Sequence, residues 1–189
     1  MILETERVYL REMKQDDFKD LCNILQDEEV MYAYEGAFCE AEVQEWLDRQ
    51  ISRYQRWGFG LWAVIRKETG EMIGQCGLTM QPWKEGEVLE VGYLFQRLYW
   101  HQGYASEAAA ACMEYAFTVL HAKEVCSIIR DTNTASQNVA LRNGMTLTDS
   151  QTKHYRGVDM PHYRYVAAYR RQAGRCEAES GDKSESNRQ

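Results

Sequence analysis

Apolar and polar positions along this chain alternate with two periods, one of strands and one of helices. Arg7-Val8-Tyr9-Leu10-Arg11 alternates every second residue and predicts a first strand. Asp16 or Asp17 then caps a helix whose apolar stripe is Phe18, Leu21, Cys22 and Leu25. A second helix is predicted over 40–57, with Val43, Trp46, Leu47, Ile51 and Tyr54 on one face and Gly58 just past its last turn. Strands over 61–65 and 72–80 flank the turn Glu68-Thr69-Gly70-Glu71 and form a hairpin. Pro82-Trp83-Lys84-Glu85-Gly86 turns the chain again into a strand over 88–95. An Ala-rich helix over 108–120 follows, then a buried strand over 125–129 and a short helix over 135–143 ended by Gly144. Two last strands, 147–155 and 163–169, flank the turn Arg156-Gly157-Val158-Asp159. The order β-α-α-β-β-β-α-β-α-β-β is that of an α/β (α+β) domain. It implies a mixed, mostly antiparallel sheet of about six to seven strands flanked by about four helices.

Between the strand over 88–95 and the Ala-rich helix lies Trp100-His101-Gln102-Gly103-Tyr104-Ala105-Ser106-Glu107-Ala108. A strand, a tight glycine turn and a helix start make an anion cradle. The first N–H groups of a helix have no partner within it, and the helix dipole favours negative charge there. Gly103 lets the backbone come close to a ligand. A phosphate or pyrophosphate is the ligand that this arrangement suits. The chain has neither the Gly-x-x-x-x-Gly-Lys-Ser/Thr of a P-loop nor a Gly-x-Gly-x-x-Gly after the strand, so a nucleoside triphosphatase and a dinucleotide fold are both disfavoured.

Composition narrows the classes further. The 189 residues suffice for one domain, and no apolar run approaches the roughly 18 residues of a membrane helix. The start, Met1-Ile2-Leu3-Glu4-Thr5-Glu6, lacks the basic and apolar blocks of a signal peptide, so a cytoplasmic location is expected and no membrane partner. A net charge of −7 argues against nucleic acid as a partner and is compatible with a cationic substrate. Six cysteines without a Cys-x-x-Cys pair or a histidine cluster predict no metal site. Cys22, Cys76, Cys112 and Cys126 read as core residues, and Cys39 and Cys176 as exposed. From about Gln172 the chain is too polar to order itself, so residues 1–171 are expected to form the domain and 172–189 a disordered tail.

With these segments in order, the sequence resembles the GNAT acetyltransferase superfamily, and more closely its RimJ/RimL-type branch. The resemblance spans Leu3 to Tyr169. Thr5-Glu6-Arg7-Val8-Tyr9-Leu10-Arg11 resembles the branch's opening strand, and Gly60-Leu61-Trp62-Ala63-Val64 its second. Tyr99 to Ala108 resembles its Tyr-Trp-Gly-Gln-Gly-Tyr-Ala-Thr-Glu-Ala segment. Asn133-Thr134-Ala135-Ser136 with Asn143-Gly144-Met145 resembles its Asn-x-x-Ser…Leu-Gly-Phe/Met. The resemblance implies acetyl-CoA as co-substrate and an amine acceptor, either a protein N-terminus or a small molecule. A homodimer is compatible with it. Backbone N–H groups of Gln102, Gly103, Tyr104, Ala105 and Ser106 would hold the pyrophosphate. Trp100 stands where the superfamily usually has a basic or amide residue, and His101 where Gly is usual. The backbone of Tyr93, Leu94 and Phe95 would pair with the pantetheine arm. The strands over 88–95 and 125–129 would splay apart to admit it.

Acetyl transfer needs a neutral amine. At pH 7 deprotonation costs roughly 1 kcal/mol for an α-amine and roughly 4.6 kcal/mol for a lysine-type amine. Glu90, a carboxylate between Leu89 and Val91 in the strand that enters the cradle, is the candidate general base; on a solvated face it would be an ordinary surface group. The resemblance implies that Asn133 contacts the pantetheine or shapes its pocket and that Ser136 sits near the sulfur and could protonate the leaving thiolate; helix capping and turn formation would also explain both. Many relatives outside the branch carry a tyrosine where this chain has Ala140, so no tyrosine acid comes from that helix. His154, Tyr155, His162 and Tyr163 near the last hairpin are candidates for the acceptor side, with an ordinary surface place the alternative for the histidines. So are Glu35, Trp46 and Tyr54, although Trp46 and Tyr54 fall on the apolar stripe of their helix and read as core, with Tyr32 and Tyr34 in the loop between the first two helices. A non-catalytic acyl-CoA-binding module of the same fold stays open as an alternative.

Overall fold

A computed structural model describes residues 1–34, 36–155 and 157–169. Glu35, Arg156, Arg170, Arg171, Arg175, Cys176 and the expected polar tail lie outside the described residues, and so does the 171/172 boundary. Eight strands and four helices follow one another: β1 (Leu3–Glu4), β2 (Val8–Arg11), α1 (Phe18–Leu25), α2 (Glu40–Trp57), β3 (Leu61–Arg66), β4 (Met72–Trp83), β5 (Gly86–Phe95), α3 (Tyr104–Thr118), β6 (Glu124–Arg130), α4 (Thr134–Arg142), β7 (Thr146–Tyr155) and β8 (Val158–Ala168). All strands join one sheet in the order β1-β2-β3-β4-β5-β6-β8-β7. Among the described residues, only the β5–β6 pair is parallel.

The sheet therefore has one strand more than the six to seven expected. The addition is β1, where Leu3 lies opposite Leu10 and Glu4 opposite Tyr9. Two residues are too few to show a period, so the pattern misses them. β4 also runs three residues beyond the expected Met80, through Pro82. Proline has no N–H to give a ladder. Here none is needed, because β4 pairs with β3 only as far as Gly77 opposite Leu61, and Pro82 lies on the edge that is then free.

The helices form where the apolar stripes predict them, except that α3 starts at Tyr104, four residues before the expected 108. Val43, Leu47 and Tyr54 of α2 are buried, and Gly58 closes the helix with φ 74°. At α1 the capping differs: the carboxylate of Asp17 caps no α1 N–H but accepts both guanidinium nitrogens of Arg11 at 2.7 Å and Lys14 N–H at 2.9 Å. Residues Leu61–Ile65 of β3 are buried at every position, so both faces of the sheet are covered. α3 packs on β4 and β5, with Trp62 edge-on to Tyr115, and α1 packs on α2 and β4. Cys76, Cys112 and Cys126 are core residues, Cys22 is half-buried and Cys39 is exposed.

Candidate active site

The site begins where the sheet comes apart. β5 and β6 share a single register pair, Glu90 opposite Cys126. Past it the strands are linked by side chains instead of by a ladder. Ser127 Oγ donates to Val91 O at 2.8 Å, and Ile128 N–H donates to Glu90 Oε1 at 3.1 Å. β6 stays fully paired to β8 on its other edge, and β5 to β4, so the opening is confined to their shared edge. Gly92, Tyr93 and Leu94 line the resulting cleft, of about 510 Å³. An extended arm could pair with this inner strand edge as an added strand.

Beyond Phe95 the chain reaches the cradle. His101 has φ 59° and Gly103 φ 84°, so two residues of this turn are left-handed. For a side chain such as His101 that conformation costs roughly 1–2 kcal/mol. It turns the backbone into α3, whose first N–H groups have no helical acceptor. Among the described residues, the N–H groups of Gln102 to Ser106 donate to no protein group. They form an anion nest at a helix start. A Cβ on Gly103 would sit 3.4 Å from Arg7 Nη2. Arg7 braces the turn from behind: Nη1 donates to Gln102 O at 2.9 Å, Nε donates to Glu107 Oε2 at 2.7 Å, and the guanidinium lies over the Tyr104 ring. Thr5 Oγ1 and Arg7 N–H both donate to Glu107 Oε1. These bonds outweigh burial and hold the Glu107 carboxyl below its ordinary pKa. The cradle, the free strand edge and the unpaired N–H groups fit a phosphorylated, extended co-substrate such as acetyl-CoA.

The carboxyl of Glu90 faces the cleft. Burial raises its pKa above the ordinary carboxylate value, against the Ile128 N–H, the Lys153 charge, the Thr79 hydroxyl and the Arg53 charge. Across the opening, Asn133 caps α4, its Oδ1 accepting Ser136 N–H at 3.0 Å. Capping thus accounts for the oxygen of Asn133. Its Nδ2 makes no hydrogen bond among the described residues, the Ser136 side chain lies beside the Tyr93 hydroxyl, and both residues line the cleft. The hydroxyl of Tyr93 donates to Ser136 O at 3.1 Å. Burial pushes the Tyr93 phenol above its usual range, with the Ser136 side chain opposing. No tyrosine comes from α4, since Ala140 is buried there, but β5 brings one to the same place.

Of the other candidates, Tyr34, Trp46, His154 and His162 line the cleft. Tyr54 does not: its hydroxyl is in the core, donating to Leu61 O and accepting Met13 N–H. Tyr32 and Tyr163 lie off the cleft wall. The chain's negative charge does not extend to this wall. Arg49, Arg53, Arg130 and Lys153 line it, and Glu90 is the single carboxylate among its described residues. Sequence reasoning missed these cations. Arg49 and Arg53 are one turn apart on α2, and that spacing is the one local signal they give.

Comparison with known proteins places the chain in a family. The family model for the acetyltransferase (GNAT) domain matches residues 7–146. The Bacillus subtilis (strain 168) uncharacterized protein YkkB is 37% identical over 144 residues, 76% of this chain and 84% of its own. The uncharacterized N-acetyltransferase p20 of Bacillus licheniformis is 33% identical over 136 residues, 71% of this chain and 76% of its own. The solved structure of RimL, a ribosomal L7/L12 α-N-protein acetyltransferase in complex with coenzyme A, is similar with a TM-score of 0.72. It covers 88% of this chain and 97% of that one at 19% identity, a likeness of fold.

Proposed function

The chain belongs to the GNAT acetyltransferase family and is an acetyl-CoA-dependent N-acetyltransferase, and from that membership we propose that its acceptor is a primary amine attacking directly in a ternary complex. The observation that carries this reading is the placement of Glu90. Its carboxylate stands at the parting of β5 and β6, on the strand whose free edge leads to the cradle.

Acetyl-CoA supplies an activated acyl carbon and a thiolate leaving group. The N–H groups of Gln102 to Ser106 bind its pyrophosphate, and the edge of Tyr93, Leu94 and Phe95 takes its pantetheine arm. Asn133 Nδ2 donates to the same arm. Glu90, with its pKa raised by burial, takes the proton from the acceptor's ammonium, directly or through one water. Ser136 Oγ is one donor for the departing sulfur, and the Tyr93 hydroxyl is the other once its single proton turns from Ser136 O to the sulfur. A thiol has a pKa of about 8.5, so this assistance is a small part of the barrier. The acceptor is a protein N-terminal α-amine, the kind of group that RimL acetylates, or a small-molecule amine. A cytoplasmic location goes with this reading.

The test is free-thiol release from acetyl-CoA with a panel of primary amines, alongside thermal shift with coenzyme A and with ATP. Amine-dependent thiol release and stabilisation by coenzyme A alone are expected. Stabilisation by coenzyme A without turnover on any amine would leave a non-catalytic acyl-CoA-binding module.

A further inference from the structure

The sign of the cleft's charge is opposite to that of the chain. The protein carries −7, yet three cations, Arg49, Arg53 and Lys153, stand on the cleft wall with no ion pair within 4 Å among the described residues. They come from two separate elements, α2 and β7. Arg53 is half-buried and held in place, its Nη1 donating to Oε1 of the fully buried Gln50 at 3.1 Å. Arg49 lies over the Trp46 ring. Lys153 is half-buried. Arg49 is exposed, but leaving Arg53 and Lys153 partly desolvated without a counter-ion is costly unless something else supplies the charge. Glu90 supplies one negative charge against three. Burial and the Arg49 charge lower Arg53, and burial with the Lys153 and Arg130 charges lowers His162.

Resting on the N-acetyltransferase reading, we propose that the acceptor is a primary amine that also carries an anionic group, a carboxylate or a phosphate, which Arg53 and Lys153 bind while the amine faces Glu90. The phosphates of the co-substrate do not account for these cations. They belong at the cradle beyond Phe95, and Glu90 lies about 16 Å back along β5 at about 3.3 Å per residue. A polyamine would place further positive charge against Arg49, Arg53 and Lys153, and the wall repels it. An amine with an anion a few bonds away satisfies both ends of the site. Its ammonium meets the one carboxylate and its anion meets the cations, so the charges orient it for attack.

The experiment measures kcat/KM for matched acceptors: β-alanine against β-alaninamide, phosphoethanolamine against ethanolamine, and spermidine as the cationic member. The anionic member of at least one pair should be preferred by about tenfold or more at low salt, and the preference should shrink as salt screens it. Which pair shows it identifies carboxylate or phosphate as the bound group. The variants Arg53→Met and Lys153→Met should bring the ratio within a pair to about two or below, since they remove the charge that discriminates. A change of structure alone would lower both members of a pair together and leave the ratio intact, and that result overturns the proposal. Preference for neutral amines or spermidine also overturns it while leaving the N-acetyltransferase reading in place. Failure of every amine, with acetyl-CoA still bound, overturns both.

Discussion

Glu90 and Ile128 are joined across the opening of the sheet: a side-chain carboxylate accepts, at 3.1 Å, the N–H that a regular parallel ladder would give to a strand carbonyl. The splay thereby fixes Glu90 Oε1 and leaves its other oxygen beside Thr79, 3.5 Å from Oγ1. A base held by backbone on one side and open to the cleft on the other is preorganised for proton transfer.

Glu90→Gln keeps the size and can still accept the Ile128 N–H, so the fold should survive. Turnover at pH 7 should fall by about 100-fold or more, the usual scale of general-base catalysis. The deficit should narrow as pH rises towards the amine's own pKa. In the wild type the base works only when deprotonated. Because burial raises its pKa, the acid limb of the rate profile should lie above the ordinary carboxylate range. Full activity of the variant at pH 7, or an equal deficit at every pH, would leave solvent as the proton acceptor.

Gly103→Val puts a branched side chain at φ 84° and against Arg7. A cost of about 1–3 kcal/mol to the turn is expected, and coenzyme A affinity should fall by at least about tenfold. Calorimetric titration of the folded variant with coenzyme A measures this. Unchanged affinity would remove the nest from the binding site.

Glu107 acts through Arg7, which in turn fixes Gln102 O. Glu107→Gln should cost little stability, about 1 kcal/mol or less for a pair this exposed. The cradle should loosen, raising the KM for acetyl-CoA several-fold while kcat at saturation holds. Steady-state kinetics separates the two constants. A fall in kcat at unchanged KM would contradict a positioning role at the cradle.

Asp17 is 3% exposed and is bound by Arg11 and by the Lys14 N–H. Burial works against its charge, but those bonds win and its pKa lies below the ordinary value. Its stabilisation is therefore complete above the unfolded pKa and is lost as pH falls through the lower folded one. Asp17→Asn should cost about 2 kcal/mol at pH 7, or roughly 4–8 °C in Tm. Thermal melts should show that gap closing below about pH 4. A gap that is the same at pH 3 and pH 7 would mean that the charge of Asp17 is not what stabilises.

What the sequence made legible was local. The bounds of α2 follow from a stripe of Val43, Leu47 and Tyr54 and a glycine stop, all within two turns of their neighbours. The cradle at Gly103 reads from nine consecutive residues. Pairings over long separations do not read this way. Arg7 meets Glu107, and Arg53 shares a cleft with Lys153, each across about half the chain or more. No periodicity encodes such meetings; they follow from the order of strands in the sheet. The net charge of −7 even pointed away from a cationic cleft, because a sum over the surface says nothing of where the charges sit. β1 and the end of β4 were lost for another reason. One is too short to alternate, and the other hides behind Pro82, whose missing donor matters only on a paired edge.

Tyr93 and Ser136 allow the proton donor to the leaving sulfur to be identified. The Tyr93 hydroxyl donates to Ser136 O, and its raised pKa keeps the phenol neutral throughout the working range. A donor that does not titrate gives an effect that does not vary with pH. Tyr93→Phe should therefore lower kcat by the same factor from pH 6 to 9, in contrast to the pH-dependent deficit of Glu90→Gln. That factor should stay below about tenfold, because a thiolate with a parent pKa of about 8.5 leaves with little help. Ser136→Ala, which removes the hydroxyl beside the Tyr93 phenol, should fall within the same limit. If both hydroxyls serve the sulfur, each should substitute in part for the other, and the double variant should lose more than the product of the single losses. Rate profiles for the three variants decide between them. Losses that simply multiply would mean that the hydroxyls act independently. Wild-type rates in all three would mean that water protonates the thiolate after it departs.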